Sequence, residues 1–320
     1  MRRILLVKTS SLGDVIHNLP VASDIAAAMS GAEVDWVVEE AFAAIPALHP
    51  AVRQVIPVAM RRWRKNWLLP GTHKEMGALK EKLGAETYDM IVDTQGLLKS
   101  AVIARWAKGP ICGQDWVSAR EPAATLLYDR TFTVDRALHA VERNRLLASH
   151  CLRYKLSGPP VYGIRAPEIP FDWLPAGERY VVFLHATSRE DKLWAEDDWA
   201  ALGERLHEAG YRAVLPWGSA AEHRRSERLA ARIPHALAAP KLTLESAAAL
   251  LARAAAVAGV DTGLTHLAAA LGLRVVGIYC GSDPGLTGVL APQAVNLGGA
   301  GAPPSVDEVA GALGRGGIIP

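Results

Sequence analysis

The sequence predicts an α/β protein built from two doubly wound parallel-sheet domains, and three observations carry that expectation. Short runs such as Ile4-Leu5-Leu6-Val7 and Met90-Ile91-Val92-Asp93 have the length and apolar character of strands buried on both faces. Each runs into a turn and then a helical pattern, which is the rhythm of parallel strands joined by crossover helices. The same rhythm restarts at Tyr180, after a Pro- and Gly-rich stretch without periodicity. The chain has 320 residues, 50% hydrophobic and 21% charged, enough to bury two such sheets.

In chain order, residues 4–7 read as the first strand, 8–14 as its turn and 15–29 as a helix. Residues 34–38 and 55–58 supply the next two strands, with 45–48 as a short link. Residues 59–74 form a basic, Trp-rich insertion. A helix then runs to residue 86, a buried strand occupies 90–93, and helix resumes after Gly96. Residues 128–134 and a helix over 139–152 close the first half. Pro159, Pro160, Pro167, Pro170 and Pro175 mark the linker, which divides the chain into domains 1–170 and 171–320. In the second half, 180–185, 213–217, 256–261 and 275–279 are strands, each followed by a loop and a helix. Two Rossmann-like halves facing a central cleft are expected. Ligands of open α/β sheets bind at the carboxyl ends of strands, so the loops after Val7, Val58, Asp93, His185, Trp217, Asp261 and Tyr279 are where chemistry is sought.

The formal net charge of +2 conceals an asymmetry. Residues 1–155 carry 21 Lys and Arg against 16 Asp and Glu, and the remainder carries 14 against 17. A basic first half suits an acidic partner, although solvated surface also accounts for such an excess. Cys112, Cys151 and Cys280 form no C-x-x-C pair or metal-ligand spacing, and their odd number argues against a disulfide framework and for a reducing compartment. The apolar run at 4–7 stops at Lys8, too short for a signal-peptide core, and no unbroken apolar run reaches the length of a bilayer span. A cytoplasmic protein with at most peripheral membrane contact is expected.

Residues 8–14 (KTSSLGD) put hydroxyl and backbone donors at the carboxyl edge of the first sheet, with Asp14 among them. An Asp there either caps the helix or acts as general base for a hydroxyl nucleophile, a role worth roughly 10²- to 10⁴-fold in rate. Residues 261–272 (DTGLTHLAAALG) are the strongest local signal. Amides at the start of that helix, with its dipole, suit a diphosphate, and Gly263 lets the backbone approach closely; plain capping by Asp261 or Thr262 is the other use. In residues 185–192 (HATSREDK), Thr187 and Ser188 offer hydroxyls and Lys192 a cation for a phosphate. Glu222, after Trp217-Gly218-Ser219, is a candidate for ribose hydroxyls. Residues 61–67 (RRWRKNW) pack Arg61, Arg62, Arg64 and Lys65 among two tryptophans, a grip for phosphates or carboxylates that Arg120, His139 and Arg143 extend. One short basic run in a near-neutral chain argues against nucleic acid. P-loop, G-x-G-x-x-G after a strand, H-E-x-x-H and G-x-S-x-G are all lacking, and so is any Asp-x-Asp pair that would hold a diphosphate through a metal.

Five segments in order, KTSSLGDVIHNLP (8–20), RRWRK (61–65), DTQGLLKS (93–100), QDWVSAREP (114–122) and DTGLTHL (261–267), resemble the lipopolysaccharide heptosyltransferase I family, within glycosyltransferase family 9. The likeness runs from the N-terminus to about residue 290. It implies a GT-B fold and transfer of L-glycero-D-manno-heptose from ADP-heptose to the first Kdo of Kdo2-lipid A, with inversion, in inner-core lipopolysaccharide synthesis. By position, the resemblance makes Asp14 the catalytic base and Lys192 the stabiliser of the leaving ADP. It puts Thr187, Ser188, Lys192, Glu222, Leu242, Asp261, Thr262, Gly263 and His266 on the donor, with Leu242 in place of an expected methionine and Ser188 in place of a threonine. The acceptor's carboxylates and phosphates then give Arg61, Arg62, Arg64, Lys65, Arg120, His139 and Arg143 a task. The resemblance further implies no cofactor and no metal ion, a monomer, and a place on the cytoplasmic face of the inner membrane. Three other readings stay open: a type II enzyme acting on a heptosylated acceptor, a nucleotide-sugar epimerase, and a non-catalytic nucleotide- or RNA-binding module.

Overall fold

In the computed structural model, which describes residues 2–175 and 177–319, the chain divides into two compact units, Met1–Ile164 and Arg165–Pro320. The first holds strands β1 (Arg3–Val7), β2 (Glu33–Glu39), β3 (Val52–Val58), β4 (Met90–Asp93), β5 (Ile111–Gln114) and β6 (Arg130–Phe132). They form one parallel sheet in the order β3-β2-β1-β4-β5-β6, with Val7 opposite Asp93 at the carboxyl edge. Its helices are α1 (Leu12–Ile16), α2 (Leu19–Ala28), α3 (Ala44–Ala47), α4 (Met60–Lys65), α5 (Pro70–Ala85), α6 (Leu98–Ala104) and α7 (Ala140–Leu152).

The second unit repeats the plan. Strands β7 (Tyr180–Leu184), β8 (Arg212–Leu215), β9 (Leu237–Ala238), β10 (Ala256–Val260), β11 (Val275–Tyr279) and β12 (Ala294–Gly298) are parallel in the order β12-β11-β10-β7-β8-β9. Numbered from its own first strand, that is the order of the first sheet. Around it lie α8 (Glu196–Glu208), α9 (Ala220–Arg232), α10 (Leu244–Ala252), α11 (Gly263–Ala270), α12 (Pro284–Thr287) and α13 (Val306–Gly314).

The all-apolar strands are buried because helices cover both sheet faces. Leu5, Val7, Ile91 and Ile111 join Trp63, Leu83 and Ile103 in one core of the first unit. In the second, Val181, Phe183, Ala258 and Ile278 meet Trp194, Trp199, Leu206 and Leu313. Trp199 anchors that layer, with its ring 4.7 Å from Phe183 and 5.1 Å from Trp194.

Three local expectations change. The helix expected over 15–29 is two helices, because Pro20 has no amide to donate and its ring conflicts with the carbonyl four residues back; it is accommodated in the first turn of α2 instead. The insertion at 59–74 is helical, in α4 and the start of α5. Strands β5, β9 and β12 were not expected, since Ile-Cys-Gly-Gln, Leu-Ala and Ala-Val-Asn-Leu-Gly are too short or too polar to stand out.

The cysteine expectation is also corrected. Cys112 on β5 and Cys151 on α7 are joined in a disulfide, because packing α7 onto the sheet brings their Cα atoms to 5.9 Å across a separation of 39 residues. Cys280 is free and buried. Among the described residues no helix is long and apolar enough to cross a membrane.

Candidate functional site

In each sheet the strand order reverses beside the first strand: between β1 and β4 in one unit, between β7 and β10 in the other. The crossovers leave those neighbours in opposite directions, so a crevice opens at their carboxyl ends, where α/β sheets bind ligands. The residues singled out in the sequence after β1, β7 and β10 lie at these two points.

In the second unit the crevice is organised around Asp261, the residue after β10. Lys192 Nζ donates to Asp261 Oδ2 at 2.6 Å and Ser282 Oγ to the same oxygen at 2.7 Å. His266 Nε2 lies 3.7 Å from Oδ1, and Thr187 Oγ1 donates to the Asp261 carbonyl at 3.1 Å. Burial opposes ionisation of this carboxyl, but the His266, Lys192 and Ser282 contacts outweigh it and hold it far below the usual carboxylate range. Lys192 is thus held against a fixed anion at the strand ends. Two glycines allow the assembly. A Cβ on Gly259 would meet Thr265 Oγ1 at 2.3 Å, so a side chain there would push α11 off β10. One on Gly281 would meet the Asp191 carbonyl at 2.5 Å, so only a bare backbone lets the loop after β11 bring Ser282 beside the 3-10 turn Glu190–Lys192. Thr262 is the N-cap of α11 without a side-chain capping bond, and Gly263 opens the helix; the Thr265 amide turns back to the Thr262 carbonyl at 3.1 Å, and the Gly263 and Leu264 amides before it lack intrahelical acceptors, as at any helix start. Ser188 is exposed on the loop after β7.

Glu222 and Leu242 sit differently from the other residues expected on the donor. Glu222 Oε2 accepts from the amides of Gly218 at 2.7 Å and Ser219 at 3.2 Å, and its own amide donates to Ser219 Oγ, which makes it the acid of a capping box on α9. Leu242 is half-buried, directly before Thr243, the N-cap of α10.

In the first unit, Asp14 is the third residue of α1, and its Oδ2 accepts from the Ser11 amide at 2.8 Å and the Ser11 hydroxyl at 3.1 Å. Buried beneath it is Lys8, whose Nζ donates to the Thr94 carbonyl at 2.8 Å and to Asn144 Oδ1 at 3.4 Å. Burial lowers the Lys8 pKa, while the charges of Asp14 and Asp93 push it back up. Asn144 Nδ2 donates to the His17 carbonyl at 3.2 Å, which ties α7 to the end of α1. Gln95 Oε1 accepts from the amides of Thr9 and Ser10 and so fixes the loop that leads to Asp14. Asp93 is fully buried; desolvation raises its pKa, against hydrogen bonds from Ser100, Tyr128, Gln95 and Gly96. Sequence patterning does not single out Lys8, Asp93, Gln95, Asn144 or Ser282. A lysine and an aspartate directly ending all-apolar strands were the available signals for the first two.

The basic residues separate into kinds. Arg62 forks onto Glu75 at 2.8 and 2.9 Å and onto Glu40 at 3.1 and 3.2 Å, so its charge is already met. Arg61 lies over the Phe42 ring, 5.0 Å from its centroid. Arg61, Arg64 and Lys99 line a cavity of about 460 Å³ with Ser10, Met60, Trp63 and Trp67. Lys65 and Arg120 are exposed. Arg143 is half-buried on α7, and burial lowers its pKa against the pull of Asp14. His139 caps α7 by accepting from the Val141 amide, with its ring 5.5 Å from that of His17. The structure thus brings Asp14, Lys8 and Arg143 into mutual electrostatic reach, with Arg120 also acting on Lys8 and Arg143.

Two six-stranded parallel sheets of this order make the GT-B architecture of a glycosyltransferase, and the chain belongs to glycosyltransferase family 9 (heptosyltransferase), whose family model matches residues 76–310. Among its relatives it is 48% identical to lipopolysaccharide heptosyltransferase 1 of Pseudomonas aeruginosa over 298 residues, 92% of this chain and 83% of that protein. It is 47% identical to lipopolysaccharide heptosyltransferase 1 of Escherichia coli K12 over 293 residues, 89% and 90% of the two chains. The solved structure of E. coli heptosyltransferase WaaC with ADP matches it with a TM-score of 0.91 at 41% identity, covering 98% of this chain and 99% of that one.

Proposed function

We propose that this enzyme transfers L-glycero-D-manno-heptose from ADP-heptose to the first Kdo of Kdo2-lipid A, with inversion, at the cytoplasmic face of the inner membrane. The observation that carries the reading is the 48% identity to a lipopolysaccharide heptosyltransferase 1 along 92% of the chain. Lipopolysaccharide heptosyltransferase 2 of E. coli, by contrast, aligns over 32% of it.

In this reading the second unit holds the donor. Lys192, fixed by Asp261, and the amides opening α11 take the diphosphate, and their charge stabilises ADP as it leaves. Thr187, Ser188, Thr262, Gly263 and His266 surround it, with Leu242 and Glu222 toward the nucleoside. In the first unit Asp14 accepts the proton of the Kdo hydroxyl. That oxygen forms its bond to the heptose anomeric carbon as the bond from that carbon to the ADP oxygen breaks, so one displacement gives inversion. Arg61, Arg64, Lys65, Arg120, His139 and Arg143 hold the acceptor's carboxylates and phosphates. Arg62 supports them from its pairs with Glu40 and Glu75. No metal ion is assigned to the diphosphate, so transfer is expected to proceed unchanged in excess EDTA; a rate restored only by a divalent cation would overturn that assignment.

The test is heptose transfer from ADP-heptose to purified Kdo2-lipid A, by the wild type and by Asp14→Asn. Product from the wild type and almost none from the variant is the expected result. Product only on an acceptor that already carries heptose would move the enzyme to the type II reaction.

A further inference from the structure

The turn between α4 and α5 holds an apolar tip out in a basic surround. Leu68 is 90% exposed, and Trp67 and Leu69 are each 55% exposed. The backbone beneath them is fixed: the Leu69 amide donates to the Asn66 carbonyl at 3.0 Å, and Thr72 Oγ1 donates to the same oxygen at 2.8 Å. The chain therefore spends ordered structure on presenting three large apolar side chains to the outside, which marks an interaction surface. Arg64 and Lys65 precede the tip, Lys74 follows it, and Lys99 shares with Trp67 the lining of the cavity behind it. Among the described residues none of these four cations lies within ion-pair distance of a carboxylate, unlike Arg62 beside them. The loop after β5, on the same carboxyl edge of the parallel sheet, adds Trp116 at 57% and Val117 at 71% exposure.

Charge selects the occupant. A second copy of this chain docked symmetrically would set the four cations against themselves. An anionic bilayer takes both features at once: the apolar tip enters the layer between headgroups and acyl chains, where tryptophan is at home, and the lysine and arginine heads stay among lipid phosphates. We propose that Trp67-Leu68-Leu69 is a docking element that inserts into an anionic membrane surface, with Arg64, Lys65, Lys74 and Lys99 on its phosphates. This rests on and deepens the peripheral-membrane part of the reading above by naming the contacting segment; Arg64 and Lys65 are shared with the acceptor, so the test changes only the apolar tip.

The experiment sediments the full chain with glycolipid-free vesicles, either phosphatidylcholine alone or phosphatidylcholine with phosphatidylglycerol. Binding to the anionic vesicles that weakens with added salt is expected. Leu68→Ser with Leu69→Ser should lower it roughly tenfold or more, with thermal melting and transfer to a water-soluble, acyl-free acceptor kept at the wild-type level. Absence of anionic-vesicle binding, or binding indifferent to the double substitution, overturns the proposal. So does concentration-dependent dimerisation abolished by that substitution in light scattering, which makes a second copy the occupant. Failure of wild type and variant alike on detergent-solubilised Kdo2-lipid A sinks the transfer reading and leaves the docking surface to be judged by the vesicles.

Discussion

Asp14 is engaged through one oxygen only among the described residues, the one that Ser11 holds. Asn at this position keeps a carbonyl oxygen for that cap and removes the proposed base. Asp14→Asn is therefore expected to lower kcat roughly 10²- to 10⁴-fold with little change in melting temperature, measured by steady-state transfer and calorimetry side by side. In the proposed reading Lys192 serves the donor and Arg64 the acceptor. Removing the Lys192 side chain takes away the proposed phosphate partner and leaves Asp261 buried without the lysine that pairs with it. Lys192→Ala should raise the KM for ADP-heptose roughly tenfold or more and leave the acceptor KM nearly unchanged. Arg64→Ala should do the reverse, and the opposite pattern in the two KM values would overturn the assignment.

At the scale of elements, Glu222 poses a sharper question than its position alone suggested. Its carboxylate closes the capping box of α9, a role worth about 1 kcal/mol, so Glu222→Ala should lower the stability of the second unit by that order. A donor KM that also rises would assign it the ribose; a KM that stays put would leave it a cap. Two buried histidines make element packing sensitive to pH. His49 accepts the Ala51 amide on Nδ1 and meets Ser23 Oγ at 2.9 Å, and His185 at the end of β7 meets Ser226 Oγ at 2.9 Å. Burial pushes both down to about 4, with the Arg225 charge adding to the effect at His185. The unfolded chain binds these protons near its ordinary pKa of about 6.5, so the folded state is fully favoured above that pH. Stability is lost as pH falls from there toward 4, at most about 3 kcal/mol per histidine. Urea unfolding at pH 7 and pH 5 checks this, and His49→Gln or His185→Gln should flatten the difference.

For the molecule as a whole, the crosslink is confined to one unit. The Cys112–Cys151 disulfide closes a loop with a separation of 39 residues, and constraint of the unfolded chain by such a loop is worth up to about 4 kcal/mol. A reductant strong enough to open it should lower the unfolding midpoint of the first unit and leave the second, whose Cys280 is buried and free, where it was. Calorimetry with and without dithiothreitol, assigned with Cys112→Ala, reads this directly. A transition of the second unit that moves instead would contradict the pairing.

The sequence by itself determined the α/β class, the repeated strand-loop-helix plan and the segments that end at the two switch points. Those are local properties: an apolar run buried on both faces and a Thr-Gly that opens a helix are written in adjacent residues, whereas the break at Pro20 came only from the structure, which has two helices there. It also pointed to Asp14, Lys192 and Asp261 individually. What only the tertiary structure decided is which of these residues meet. Lys192 and Asp261 pair across 69 positions, and Ser282 reaches the same oxygen because Gly281 leaves room for the loop. Arg62 is taken up by Glu40 and Glu75, although among the described residues its neighbours in the basic run have no such ion pair, and nothing in RRWRK distinguishes them. Lys8 becomes a buried lysine tied to Thr94 and Asn144 only once β4 and α7 pack beside β1. Side-chain pairing depends on the distances that strand order and helix packing create, and no periodicity along the chain carries that information.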